Sequence, residues 1–178
     1  GQGPGMAAGR LHRSLSRRLP ARDLRSGDGL AVMRLNDIQL AQFERDGWLL
    51  LENLFSAEEI AALMDDVPRI FALRREEVVR EKDGETPRTA FAAQNYSEPF
   101  RRLGLHPRLI EPVRQILDGP VYLHQFKINA KAAFDGDVWQ WHQDYGTWQR
   151  DDGMPDSRAL NIALFLEDVT TFNGPLMF

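Results

Sequence analysis

The hydrophobic period of this chain changes near Gly119-Pro120, and that change limits the folds open to it. Upstream, apolar residues recur at helical spacing; downstream, they alternate with period two. Asn36 is placed to cap a helix, with Gln39 as capping-box partner three residues on. Ile38, Leu40, Ala41 and Phe43 then form a stripe that Gly47 stops. Trp48-Leu49-Leu50-Leu51 reads as a short buried strand. Ser56-Ala57-Glu58-Glu59 opens a second helix through Ile60, Leu63 and Met64, and Pro68 should break it. A charged helix is expected to resume from there to about Lys82, with Arg74, Arg75, Glu76, Glu77 and Arg80 on a solvated face. Residues 83–90 read as a loop, and 107–118 as a helix ending before Gly119-Pro120.

After that point Val121 to Ala130 and residues 158–166 read as strands, with a turn at Asn173-Gly174 before the run Pro175–Phe178. Helices followed by strands are the pattern of an α+β chain with a mainly antiparallel sheet. No internal repeat interrupts it.

The strand Val121–Ala130 places Tyr122, His124, Phe126 and Ile128 on one face and Leu123, Gln125, Lys127 and Asn129 on the other. Such a polar face meets water or lines a polar cavity, and the residues alone favour water. In 158–166, Leu160, Ile162, Leu164 and Leu166 form a bulky face opposite Ala159, Asn161, Ala163 and Phe165. Asn161 between two alanines is a polar handle with space around it, as a pocket needs, or an ordinary solvent-facing asparagine.

The chemistry concentrates in Trp141-His142-Gln143-Asp144. If these residues are extended, His142 and Asp144 project side by side, roughly 6.6 Å apart along the strand. An imidazole and a carboxylate so placed are two-thirds of the facial triad of two histidines and one carboxylate that holds Fe(II). By itself an H-x-D is weak evidence, equally a surface histidine beside a solvated aspartate. Trp139, Trp141, Tyr145 and Trp148 crowd the pair with aromatics, which limit solvent access or are plain core. His12, His106 and His124 have no partner at ligand spacing and read as structural or surface residues. No histidine follows His142, so a third ligand is missing or lies somewhere unexpected.

Composition narrows the alternatives. At 178 residues, 43% hydrophobic and 27% charged, the chain suits one soluble domain with a real core. No apolar run approaches the 18 or more residues of a membrane span. Without cysteine there are no disulfides, thiolate metal sites or cysteine nucleophiles. The net charge of −4 divides unevenly: residues 1–30 carry six arginines against Asp23 and Asp28, so the rest is acidic. An acidic body gives no reason to expect nucleic acid as a partner. Residues 1–32 read as a disordered basic head or a mis-set start, with Met33 opening a domain that runs over 33–178; an organellar transit peptide is the other reading of that head. The chain begins on Gly1, so it is expected to be a fragment at both ends, and a cytoplasmic location is the default once the head is discounted.

The stretch Trp141–Phe178, with its W-H-x-D, T-W, D-G-M-P, R-A-L and N-G-P-L-M elements in order, resembles the phytanoyl-CoA dioxygenase-like family of Fe(II)/2-oxoglutarate oxygenases. Within that family it is most similar to enzymes that hydroxylate ectoine or free proline. His124-Gln125-Phe126-Lys127-Ile128-Asn129 resembles the group's H-Q-x-[RK]-I-N strand, and Phe43–Trp48 with Leu54-Phe55-Ser56 fits its N-terminal part. The resemblance covers about residues 35–178.

It implies N-terminal helices packed on a double-stranded β-helix, a jelly roll incomplete at the C-terminus, with the face Gln125, Lys127, Asn129 turned inward. It implies His142 and Asp144 as iron ligands, with 2-oxoglutarate and O2 as co-substrates. Asn129, Trp139 and Asn161 then fall where the family contacts 2-oxoglutarate, and Gln125, Thr147 and Trp148 where it shapes the substrate pocket. The substrate would be a small free amino acid or similar solute; a homodimer stays open, and neither nucleic acid nor membrane is expected. A carboxylate at position 144 favours hydroxylation, since related halogenases carry a small residue there.

Asn161 stands where ectoine hydroxylases carry Ser, Gln140 where an aromatic is expected, and Phe126 where a small residue is common. These departures make proline at least as good a substrate as ectoine. The family's distal histidine and its 2-oxoglutarate-clamping arginine would lie past Phe178, so residues 1–178 alone are expected to be inactive and to expose unpaired strand edges. The rival from another class is a non-catalytic jelly-roll module that binds a small polar ligand.

Overall fold

The structure, a computed structural model, describes residues 33–131 and 140–177, which fall in two compact units: 33–131 with 160–177, and 140–159. Both N-terminal helices begin where their capping boxes predict. In α1 (Asp37–Asp46), Asn36 accepts from the Gln39 N–H while the Gln39 side chain accepts from the Asn36 N–H; Gly47 closes the helix at φ 75°. In α2 (Ala57–Met64), Ser56 and Glu59 repeat the arrangement. As expected, α2 does not continue through Pro68: it ends at Met64, and Pro68 sits in the first turn of α3 (Val67–Ala72), where its missing N–H costs nothing.

Three expectations fail between residues 48 and 90. Trp48–Leu51 forms no strand, and Trp48 and Leu50 are exposed. The charged helix ends at Ala72, and β1 (Val78–Arg80) follows. The supposed loop contains the start of β2 (Pro87–Phe91). One cause underlies the last two. Val78 and Val79 are β-branched and prefer a pleated surface, and the surrounding charges pair across a hairpin rather than along a helix. Arg74 meets Glu85, Arg88 meets Glu81, and Arg80 donates to the Phe71 carbonyl. Asp83 closes the turn by accepting from the Glu85 and Thr86 N–H groups, beside Gly84 at φ 74°.

β3 (Lys127–Asn129) completes a three-stranded antiparallel sheet of order β1-β2-β3, in which Val78, Ala90 and Ile128 align. The strand is far shorter than Val121–Ala130 because its partner ends. After Phe91, Ala92 turns into the left-handed region (φ 53°, ψ 31°) and a 3-10 turn follows at Ala93–Asn95. Residues 158–166 likewise join no ladder among the described residues, and their period holds only over 164–166, since Ile162 is exposed. Leu164 and Leu166 pack on the core while Ala163 and Phe165 stay exposed.

Two more helices follow the 3-10 turn. α4 (Glu98–Gly104) was not anticipated, whereas α5 (Pro107–Leu117) matches the expected 107–118 closely. Leu63, Ile70, Phe71, Val78, Ala90, Ala93, Phe100, Leu103 and Ile128 form one core. Gln115 of α5 exchanges two hydrogen bonds with the Leu35 backbone, at 2.9 and 2.8 Å, which fixes buried Leu35 to α5. The observed class is therefore α+β with a small antiparallel sheet.

Asp66 ties α3 to α4. It accepts from Arg69 through both oxygens and from the Ser97 hydroxyl, while Ser97 caps α4 at the Phe100 N–H. The Arg69 hydrogen bonds, aided by Ser97, hold the Asp66 carboxyl below its ordinary value. A depressed carboxyl contributes stability that is complete above its unfolded value of about 4 and fades as pH falls through the folded one. Asp66→Asn should therefore lower the urea midpoint near neutral pH, and its deficit should shrink in acid; a deficit that does not change with pH would contradict this.

Candidate metal centre

In the unit 140–159, the chain runs extended through Gln143 and then enters α6 (Asp144–Asp152). Asp144 is thus the first residue of a helix rather than a strand residue, which corrects the extended reading of His142-Gln143-Asp144. Its carboxylate sits in the first turn, where the helix dipole favours negative charge. Gly153, at φ 69°, ends the helix, and the Gly153 and Met154 N–H groups both reach the Trp148 carbonyl.

The bend still brings the two side chains together, with His142 Nε2 3.4 Å from Asp144 Oδ1. The other imidazole nitrogen, Nδ1, lies 2.6 Å from the Gln140 carbonyl oxygen. A carbonyl can only accept, so the Nδ1 proton is fixed there. In the neutral ring Nε2 then turns a lone pair toward a carboxylate oxygen, an arrangement that a cation between them would resolve. Two donors on adjacent corners of an octahedron with bonds of about 2.1 Å stand about 3 Å apart. Imidazole and carboxylate together suit Fe(II), so the residues present fit two of its ligands. Among the described residues no third histidine or carboxylate completes a metal-holding group.

Asp144, Thr147 and Trp148 stand at i, i+3 and i+4 of α6, so they share one helix face. Thr147 is exposed and Trp148 is buried. Four of the expected site residues therefore lie together in this unit: His142, Asp144, Thr147 and Trp148. Trp141, by contrast, is 73% exposed.

In the unit 33–131 with 160–177, Asn129 lies opposite Thr89 across the sheet. The buried Thr89 hydroxyl is 3.1 Å from Asn129 Oδ1 and donates to it, which leaves the carboxamide N–H groups as outward donors. Lys127 and Asn129 are exposed, as the residues alone favour, and Gln125 is half-buried just before β3. Asn161 is exposed in the extended segment 158–166. Trp139 lies outside the described residues.

Lys131 escaped the sequence reading. It follows Asn129 by two, so Lys127, Asn129 and Lys131 continue one polar row, and neither lysine has a carboxylate partner among the described residues. The Lys131 side chain crosses the Asn173-Gly174 turn. A Cβ on Gly174, whose φ is 77°, would stand 2.7 Å from its Cδ. The glycine therefore makes room for the lysine, and the resulting row of donors suits an organic carboxylate. Carrying the period-two pattern one step past Asn129 would have found it.

Comparison with known proteins agrees with this chemistry. The family model described as phytanoyl-CoA dioxygenase (PhyH) matches residues 43–178. An ectoine dioxygenase of Bordetella parapertussis is 43% identical over 155 residues, 85% of this chain and 50% of its own length. An L-proline trans-4-hydroxylase of Streptomyces griseoviridis is 41% identical over 135 residues, 76% of this chain and 50% of its own. The crystal structure of EctD from S. alaskensis with 2-oxoglutarate and 5-hydroxyectoine superposes with a TM-score of 0.66 at 35% identity, covering 70% of this chain and 45% of that one. The chain thus spans about half the length of the curated relatives it matches.

Proposed function

The chain belongs to the phytanoyl-CoA dioxygenase family, and on that premise we propose that its intact protein is an Fe(II)/2-oxoglutarate-dependent hydroxylase of a small free amino acid or similar solute, L-proline or ectoine. The observation that carries this reading is the approach of His142 Nε2 to Asp144 Oδ1 with Nδ1 held by the Gln140 carbonyl. Bound there, Fe(II) would couple O2-driven decarboxylation of 2-oxoglutarate to succinate with hydroxylation of a C–H bond.

The chain's own residues do the positioning. His142 and Asp144 would hold the metal, and the Gln140 carbonyl keeps the imidazole in the tautomer that offers Nε2. Asp144 occupies the place a halide would need, which directs the outcome to hydroxylation. Asn129, its carboxamide turned outward by Thr89, donates to the 2-oxo acid together with Lys131, while Asn161 and Trp139 line the same region. Gln125, Thr147 and Trp148 shape the substrate pocket.

The family resemblance implies a further histidine as the remaining metal ligand, supplied by another part of the intact protein. That part would also close the sheet into a jelly roll over the polar row. We take residues 33–178 as one segment of that domain and propose the cytoplasm as its setting. Among the described residues no helix is long and apolar enough to cross a membrane.

The test is succinate release by the intact protein with Fe(II) and 2-oxoglutarate, first with L-proline and then with ectoine. Succinate that rises with either compound is the expected result and chooses the substrate. A folded protein that binds no iron would instead favour a ligand-binding module without redox chemistry.

A further inference from the structure

The first turn of α5 carries a cluster of titratable side chains that the proposed chemistry does not use. His106 caps the helix through its ring: Nδ1 accepts from the Arg108 N–H at 3.2 Å. The Arg108 guanidinium lies over the Phe55 ring, 4.4 Å from its centroid, and the His106 ring meets the same phenyl edge-on at 5.2 Å. Arg108 donates to the Leu54 carbonyl and to Glu59. The second oxygen of Glu59 accepts from the Ser56 N–H in the capping box of α2. This network docks α5 on α2 across about fifty residues of chain.

We propose that His106 is a proton-sensitive cap, so that docking of α5 on α2 weakens when its ring takes up a proton. An imidazole accepts a hydrogen bond only while one nitrogen is bare; the imidazolium has donors alone. Three features oppose protonation here. The Nδ1 acceptor would be lost, the new charge would face Arg108, whose Nη2 is 3.4 Å from Nε2, and it would sit at the positive end of a helix dipole. The charged groups facing the ring are Arg108 from α5 and Glu59 from α2, and only Glu59 favours the proton. Burial, and after it Arg108, place the ring below the ordinary histidine value. The stability so contributed is complete above that ordinary value, about 6.5, and is lost as pH falls through the lower folded value. Gln115, at the other end of α5, grips Leu35, so the same helix tethers both N-terminal helices.

His106→Asn separates this from a plain packing role, because asparagine caps helices well and does not titrate. In the intact protein, the folded-to-unfolded ratio of the wild type should fall roughly five- to tenfold further than that of His106→Asn between about pH 7 and about pH 5. Ring resonances of His106 followed by NMR in the wild type should titrate below the ordinary range, with the Arg108 amide moving alongside. Parallel pH profiles for the two proteins, or a ring that titrates at or above about 6.5 because Glu59 prevails, would overturn the proposal.

Discussion

Replacing Asp144 with alanine in the intact protein is expected to abolish Fe(II)-dependent release of succinate from 2-oxoglutarate. The loss should exceed the 10- to 100-fold typical of removing a residue that merely supports a ligand, because the carboxylate is itself a proposed ligand. Alanine removes the anion that faces His142 Nε2 at 3.4 Å. The fold should survive. Asp144 opens α6, whose N-cap is Gln143, and losing its charge from the first turn costs about 0.3–1 kcal/mol. Iron binding and turnover should therefore collapse while the melting temperature moves by only a few degrees. Unchanged turnover would sink the assignment of Asp144 to the metal. A collapse of melting temperature alongside turnover would mean that α6 depends on the carboxylate structurally.

What could be read from the sequence divides by the range of the interactions involved. Asn36 with Gln39 and Ser56 with Glu59 mark helix starts through contacts three residues apart, Pro107 and Gly119 mark the two ends of α5 by their own backbone preferences, and α1, α2 and α5 form where those marks place them. The β1-β2 hairpin was hidden because its evidence is pairwise. Arg88 looks like a solvated charge until Glu81 faces it, and Val78 looks isolated until Ala90 pairs with it. A strand is a property of two segments, so the alternation in 121–130 predicts the faces of Phe126 to Asn129 but neither the length nor the exposure of Tyr122 and His124. The length was set by Ala92 turning left-handed in the partner.

The candidate metal centre shows the same division. His142 and Asp144 were paired on the assumption of a strand, yet they meet because an extended residue leads directly into a helix. Spacing of two brings side chains together in either geometry, so the pair was legible although its backbone was not. The tautomer of His142 was not legible, since it depends on where the Gln140 carbonyl points. The turn at Asn173-Gly174 was legible, and the φ of 77° at Gly174 favours glycine there; that the Lys131 side chain lies where a Cβ would be was not.

Phe100→Ala should produce the largest loss of stability in this part of the molecule, about 3–5 kcal/mol. Phe100 is 2% exposed and meets Phe126 edge-on with ring centroids 6.2 Å apart. It therefore joins α4 to the segment that leads into β3. Ser97, which caps that helix beneath Phe100, is itself bonded to Asp66, so the walls of the resulting cavity are held and relax little. That is the circumstance in which truncation costs most, because a rigid cavity forfeits contacts as well as transfer energy. Domains of ordinary stability hold about 5–15 kcal/mol in total, so the variant should unfold at a much lower urea concentration, measured by the loss of tertiary circular dichroism. Phe100→Leu keeps most of the volume and should cost far less than the alanine. A difference between wild type and Phe100→Ala below about 1 kcal/mol would show that the core does not centre on α4, since only surface sites are normally so tolerant. Phe126 directly follows Gln125 and precedes Lys127, so the packing that Phe100 provides also supports the row of polar side chains assigned here to substrate and 2-oxo acid.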